Sequence, residues 1–99
     1  MLSKKVYAIS LADEVNYSKE NQCYFIGEEI LSAIDFDLDT AIERIEKMFL
    51  NNLNLVDYYT IRTLKFDENS NGYVSLDNSI FICYYKNNEL YIVPQNTSL

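Results

Sequence analysis

The chain of 99 residues has no histidine and no tryptophan, a single proline, two glycines and two cysteines. Histidine is the commonest general base and the commonest ligand of transition metals, so its absence argues against many enzymes and metalloproteins. With 48% apolar residues and few chain breakers, the composition is that of a folded chain. At this length we expect one domain over residues 1–99, folding without a cofactor or metal.

The two cysteines, Cys23 and Cys83, lie sixty residues apart and do not form a spaced framework. No basic-then-apolar leader precedes them, and no apolar run approaches the ~20 residues that a bilayer span needs. We therefore expect reduced thiols in a cytoplasmic protein with no membrane association, although a disulfide between the two stays open until the fold is known. Each cysteine lies in an apolar run, which favours a buried structural role over a reactive thiol.

Alternation of side chains predicts strands over residues 4–11, 23–26, 58–66, 79–86 and 89–93, with a short edge strand at Tyr73 and Val74. The polar residues 13–22 are predicted to form a loop or wide hairpin. Asn87 and Asn88 tolerate the positive φ of a two-residue turn, which predicts a tight hairpin. Residues 67–71 read as a turn, and residues 95–99 as a polar tail.

One helix is strongly marked over about residues 38–51, where apolar residues recur at three-and-four spacing. Asp35, Asp37 and Asp39 can cap its start, and the segment Thr40 to Glu43 matches a capping box. Residues 28–34 are predicted to form a shorter helix before it. The expected fold is therefore α+β: an antiparallel sheet of four to five strands, with the main helix and the short preceding helix on one face.

Negative charge is concentrated in one window of the chain. Of fifteen acidic residues, eight lie between Glu28 and Asp57 against two basic ones, so this window carries −6 of the total net charge of −7. A field of one sign steers partners at the cost of self-repulsion. The low pI of about 4.3 argues against direct binding to nucleic acid, which relies on Lys and Arg.

Asp39, Glu43 and Glu46 share one face of the predicted helix, at i, i+4 and i+7. Carboxylates four residues apart stand about 6 Å apart along the axis, within a factor of two of the ~3.4 Å spacing of phosphates along one strand of a duplex. The face could therefore present itself to a basic groove as nucleic acid does. The simpler interpretation is the solvated side of an amphipathic helix, which explains the first acids better than Glu43 and Glu46.

Two other uses of the carboxylates fit the sequence less well. Catalytic pairs need contrasting environments in a concave site, which an exposed helix face does not offer. The segment from Asp35 to Asp39 resembles the start of a calcium loop, but Thr40 stands where such loops carry glycine and the helical pattern runs through the window. We expect no catalytic residue and no metal ligand.

Tyrosines fall in adjacent pairs on the predicted strands, so each pair places one ring in the core and one outside. Packing in the sheet is the default for these rings, and an anchor for a protein partner is the functional alternative. We expect Tyr58 or Tyr59 to provide such an anchor.

These features together predict a non-enzymatic inhibitor that binds a protein with a basic surface. The expected target is a nuclease or other nucleic-acid-acting enzyme, in a phage anti-defence setting such as an anti-CRISPR or in toxin immunity. The predicted partner-binding residues are Asp35, Asp37, Asp39, Glu43, Glu46, Tyr58 and Tyr59. The alternative is a structural or assembly subunit that self-associates, for example as a homodimer, through a Tyr-rich sheet face.

Overall fold

The computed structural model describes residues 5–51 and 57–96, the side chains of 77–79 excepted. Its elements, in chain order, are β1 (Lys5–Ala12), β2 (Val15–Ser18), β3 (Cys23–Ile26), β4 (Glu29–Asp35), α1 (Leu38–Asn51), β5 (Tyr58–Asp67), β6 (Gly72–Lys86) and β7 (Glu89–Pro94). Five strands form an antiparallel sheet in the order β4-β1-β5-β6-β7, and β2 pairs with β3 in a separate hairpin. The predicted α+β class is confirmed.

The helix α1 covers one face of the five-stranded sheet. Its buried residues Ala41, Ile45 and Phe49 pack against residues of β1, β5 and β6, which alternate toward this face. The strand residues are Ile9, Tyr59, Ile61 and Cys83. Apolar spacing thus determined which side of the helix is buried, as predicted.

The long hairpins agree with the sequence analysis. Asn87 and Asn88 adopt φ values of 53° and 64°, as the turn between β6 and β7 requires. The predicted short strand at Tyr73 and Val74 is the first part of the 15-residue strand β6. The predicted start of the first strand at Lys4 and the predicted tail residues 97–99 lie outside the described residues.

The short helix predicted before α1 is wrong, because these residues form the edge strand β4. The register between β1 and β4 shifts between Ile9 and Ser10, where Ala33 and Leu31 are the successive partners and Ser32 is the extra residue. This β-bulge converts the alternation of a strand into a three-residue interval, so that Leu31 and Ile34 face the same side. An interval of three is also a helical spacing, so the local pattern predicts a helix where the chain forms a strand.

Candidate partner-binding surface

The start of α1 is capped by Asp37. The backbone N–H and the hydroxyl of Thr40 each donate to Asp37 Oδ2 at 3.0 Å, and the N–H of Ala41 donates to the Asp37 carbonyl at 3.0 Å. Asp37 is therefore the N-cap, and the predicted capping box starting at Thr40 lies inside the helix. The carboxylate of Asp37 remains exposed beside the positive end of the helix dipole.

The carboxylates of Asp39, Glu43 and Glu46, here called the acidic stripe, all lie on the exposed side of α1. In residues 5–51 and 57–96, ion pairs within 4.0 Å involve two other carboxylates, Asp35 and Glu29. No cation of the described chain therefore neutralises the acidic stripe by direct contact. A cationic partner would meet three negative charges along about two turns of helix.

Asp35 has a different position from the other predicted contact residues. It is buried at the end of β4, where its two oxygens accept from Arg44 Nε at 2.8 Å and from Arg44 Nη2 at 2.9 Å. Hydrogen bonding to this carboxylate raises the pKa of the Arg44 guanidinium. The bidentate pair joins α1 to the edge of the sheet, so Asp35 positions the helix and is not exposed beside the acidic stripe.

Tyr58 and Tyr59 point to opposite faces of the sheet. Tyr59 is 3% exposed and packs edge-on against Phe49, with ring centroids 4.8 Å apart. It belongs to the core beneath α1, so its ring is not on the surface. Tyr58 is half-buried on the other face, 6.5 Å from the ring of Tyr84. The structure therefore does not bring Tyr58 together with the acidic stripe.

Two exposed apolar residues that the sequence analysis did not single out flank the acidic stripe. Phe36 directly precedes the N-cap and is 78% exposed, and Leu50 in the last turn is 55% exposed. Leu50 follows Glu46 by four residues and so extends the same helical face. Helical spacing alone could have identified Leu50, whereas the exposure of Phe36 depends on how the chain passes from β4 into α1.

The face opposite α1 carries a polar cluster. Small residues of β1, Ala8, Ser10 and Ala12, leave room for Glu29 of β4 to reach β5, where it accepts from Thr60 Oγ1 at 2.6 Å and from Arg62. Burial tends to raise the pKa of Glu29, but the hydrogen bonds from Arg62 and Thr60 and the charge of Arg62 outweigh it, and the pKa is lowered. This carboxylate is satisfied within the fold.

The hairpin of β2 and β3 lies over part of the same face. Val15 and Tyr24 from the hairpin line a cavity of about 210 Å³ together with Tyr58, Tyr84 and two aliphatic side chains of the sheet. Tyr84 stacks on Tyr91 with centroids 5.2 Å apart. Several tyrosine rings on the sheet face opposite α1 therefore contact other residues of the same chain.

A reactive thiol, a metal site and a membrane-spanning helix each require particular features of the described residues. Burial raises the pKa of the Cys83 thiol to about 12, so it stays protonated. Among residues 5–51 and 57–96, no three Cys, Asp or Glu side chains converge on a common metal position. Over the same residues, no helix combines the length and the apolar character needed to cross a bilayer.

Comparisons with protein-family models, with curated proteins and with solved structures find no match for this chain. The exposed residues of the molecule are therefore the basis for proposing a function.

Proposed function

We propose that this protein is a small acidic inhibitor that binds another protein through α1 and occupies a basic, nucleic-acid-binding groove of its target. The target class is a nuclease or another enzyme acting on nucleic acid, in a phage anti-defence or toxin-immunity setting. The protein itself is proposed to have no catalytic activity. The observation that carries the proposal is the unneutralised acidic stripe of Asp39, Glu43 and Glu46 on one exposed helical face.

Rigidity of α1 supports this role. The helix is capped by Asp37, anchored in the core by Ile45 and Phe49, and tied to the sheet by the pair of Asp35 and Arg44. Charges on a fixed element lose little freedom on binding, so more of their interaction energy appears as affinity. The three carboxylates would meet Lys and Arg side chains that otherwise contact phosphates, and their field would accelerate association at low salt.

An apolar contact beside the charges would give the complex a long lifetime. Charged rim contacts mainly change the association rate, whereas buried aromatic anchors account for most of the affinity. Phe36, next to Asp37, is the most exposed of the large apolar side chains of the described residues. We propose that Phe36 takes the anchoring role that the sequence analysis gave to Tyr58 or Tyr59.

The first test is capture of a partner from the native host at low salt, with identification by mass spectrometry. The proposal expects a nucleic-acid-acting enzyme that is released at high salt and displaced by competing duplex or single-stranded DNA or RNA. The captured enzyme should lose activity when the acidic protein is added. A partner that keeps its nucleic acid bound while it binds this protein would contradict the proposed groove.

The second test changes the acidic stripe without changing the shape of the protein. The triple variant Asp39→Asn, Glu43→Gln, Glu46→Gln should slow association with that enzyme several-fold at low salt. The matched control, Asp13→Asn, Glu20→Gln, Glu68→Gln, removes three exposed carboxylates elsewhere and so has the same net charge. Equal association rates for the two variants would show that total charge, and not the stripe, controls binding.

A further inference from the structure

The outer edge of β4 is an open strand edge that carries exposed apolar side chains. β4 ends the sheet order, so it pairs with β1 on one side and with no strand of the described chain on the other. Leu31 is 59% exposed and Ile34 is 48% exposed, and Ile30 on the same strand is also exposed. This edge has no lysine or proline, and its exposed apolar side chains favour pairing with another strand, while the bulge at Ser32 interrupts the regular ladder at one position.

The charges of β4 are already neutralised within the chain. Its two acidic residues, Glu29 and Asp35, lie at its two ends and are paired with Arg62 and Arg44, respectively. Among residues 5–51 and 57–96, no other carboxylate forms an ion pair within 4.0 Å. Between Ile30 and Ile34, a strand that approaches this edge would therefore meet no unpaired charge, whereas the exposed carboxylates of Glu28 and Asp37 flank the two ends of β4.

The opposite edge of the sheet, formed by β7, is blocked at its C-terminal end. β7 ends at Pro94, which has no N–H to donate, and the following residue is already paired on the hairpin side. The N–H of Tyr24 donates to the Gln95 carbonyl at 2.9 Å, and Cys23 forms a bridge with Asn96. Pairing of β4 with the full length of β7 of another copy, which would propagate into a filament, is therefore disfavoured.

From these observations we infer that β4 pairs antiparallel with β4 of a second copy of this chain. Antiparallel pairing about the middle of the strand is isologous, because each copy offers the same edge to the other and the contact closes at two subunits. Leu31 and Ile34 both face the side opposite α1, because the bulge lies between them. Pairing about the middle of the strand brings Leu31 of each copy toward Ile34 of the other, and so covers both exposed side chains.

The geometry of this dimer has a consequence for the acidic stripe. Residues opposite each other in an antiparallel pair point to the same side of a sheet, so the two-fold axis is perpendicular to the sheet. Both α1 helices would then lie on one face of a continuous ten-stranded sheet, with two acidic stripes on the same side. A role of the two stripes in binding one target rests on the proposed function, whereas the pairing of β4 does not and is tested without any target.

The test measures the mass of the wild-type chain and two double variants by sedimentation or light scattering over a range of concentrations. The wild type should show twice the chain mass of 11.6 kDa. Leu31→Lys with Ile34→Lys should raise the dimer dissociation constant by at least about tenfold, because two charges per copy would be placed at the pairing edge. The control Tyr73→Lys with Val74→Lys adds the same charge at exposed positions of β6 and should stay dimeric.

A crosslinking measurement locates the contact independently of these variants. In a Cys23→Ser background, Ser32→Cys places a thiol at the middle of β4, and Ser70→Cys places one in an exposed turn. A short thiol crosslinker should give covalent dimers of the first variant faster than of the second. A monomeric wild type, a dimer that survives both lysines in β4, or equal crosslinking at the two sites would overturn the inference. If the double lysine variant does not fold, Ile34→Lys alone and the crosslinking result decide.

Discussion

Glu29 and Arg62 meet across β1, on the sheet face opposite α1. The guanidinium donates through Nε to Glu29 Oε1 at 3.1 Å and through Nη2 to Oε2, while Thr60 donates to Oε1. Side chains of the edge strand β4 and of β5 are thus connected over the small residues of the strand between them. The ion pair holds β4 against the rest of the sheet, so the outer edge of β4 keeps a fixed position for any contact made there.

We predict that Glu29→Gln lowers stability at neutral pH and that this loss disappears in acid. The pKa of Glu29 lies below its ordinary value of 4.5 in the folded protein, so its contribution is present above that pH and is lost as the pH falls through the folded pKa. Urea unfolding should show a loss of about 1–2 kcal/mol at pH 7, and the difference from the wild type should close as the pH falls below 4.5. Glu68→Gln, at an exposed turn, is the control, and a gap independent of pH would contradict the assignment.

Asp35→Asn should destabilise the protein more than the same change on the acidic stripe. The substitution removes the carboxylate that holds Arg44 and leaves a buried amide with poorer partners. We expect a loss of about 1–3 kcal/mol in chemical unfolding. Asp39→Asn, which is exposed and unpaired in the described structure, should change stability by no more than about 0.5 kcal/mol. Equal effects of the two substitutions would remove the structural role assigned to Asp35.

Elements with undisturbed local patterns could be predicted from the sequence. The helix over 38–51 has an uninterrupted apolar face, and α1 has the same bounds. The turn at Asn87 and Asn88 follows from the tolerance of asparagine for positive φ. In both cases the cause is local in the chain, so no knowledge of distant partners was needed.

The error at β4 has a cause that lies elsewhere in the chain. Whether residues 29–35 form a strand depends on pairing with β1, and the bulge at Ser32 arises only in that pairing. Without the bulge the segment would alternate in the ordinary way for a strand. Pairing between distant segments overrides local spacing, and a single sequence contains no direct record of it.

The candidate surface was predictable only in part for a similar reason. The acidic stripe followed from helical periodicity and is exposed as expected. The burial of Asp35 follows from an ion pair with Arg44 nine residues later, and the choice between Tyr58 and Tyr59 depends on which sheet face α1 covers. Both are properties of tertiary packing, so charge or residue type alone could not reveal them.

Phe36→Ala should weaken binding to a captured partner while leaving the fold unchanged. The ring is 78% exposed, so its removal should cost less than about 0.5 kcal/mol of stability. As an interface anchor it should contribute about 2 kcal/mol, which is roughly a thirtyfold change in affinity. Phe25→Ala, on the exposed hairpin, is the matched control and should bind like the wild type. Identical affinities for both variants would remove Phe36 from the contact.

Cys83 should resist alkylation in the native protein. Cys83 lies on β6, between β5 and β7, and is fully buried. Burial raises the pKa of the Cys83 thiol to about 12, so little thiolate forms at pH 8. Mass spectrometry after treatment with iodoacetamide should find Cys23 modified and Cys83 unmodified, with both modified in denaturant. Because Cys23 is half-buried, it serves as the internal reference. Alkylation of Cys83 at the same rate as Cys23 would show that this part of the core opens readily.

The hairpin between β6 and β7 should depend on the residue at position 88. Asn88 has a φ of 64°, and a β-branched side chain in the left-handed region is strained by about 1–2 kcal/mol. We therefore expect Asn88→Val to lower the free energy of unfolding by that amount and Asn88→Gly to leave it unchanged or slightly higher. Asn69→Val is the matched control, because Asn69 is an exposed turn residue that is not among those with positive φ. Urea unfolding of the three variants measures the difference, and equal losses for the two valine variants would mean that the turn conformation contributes nothing to stability.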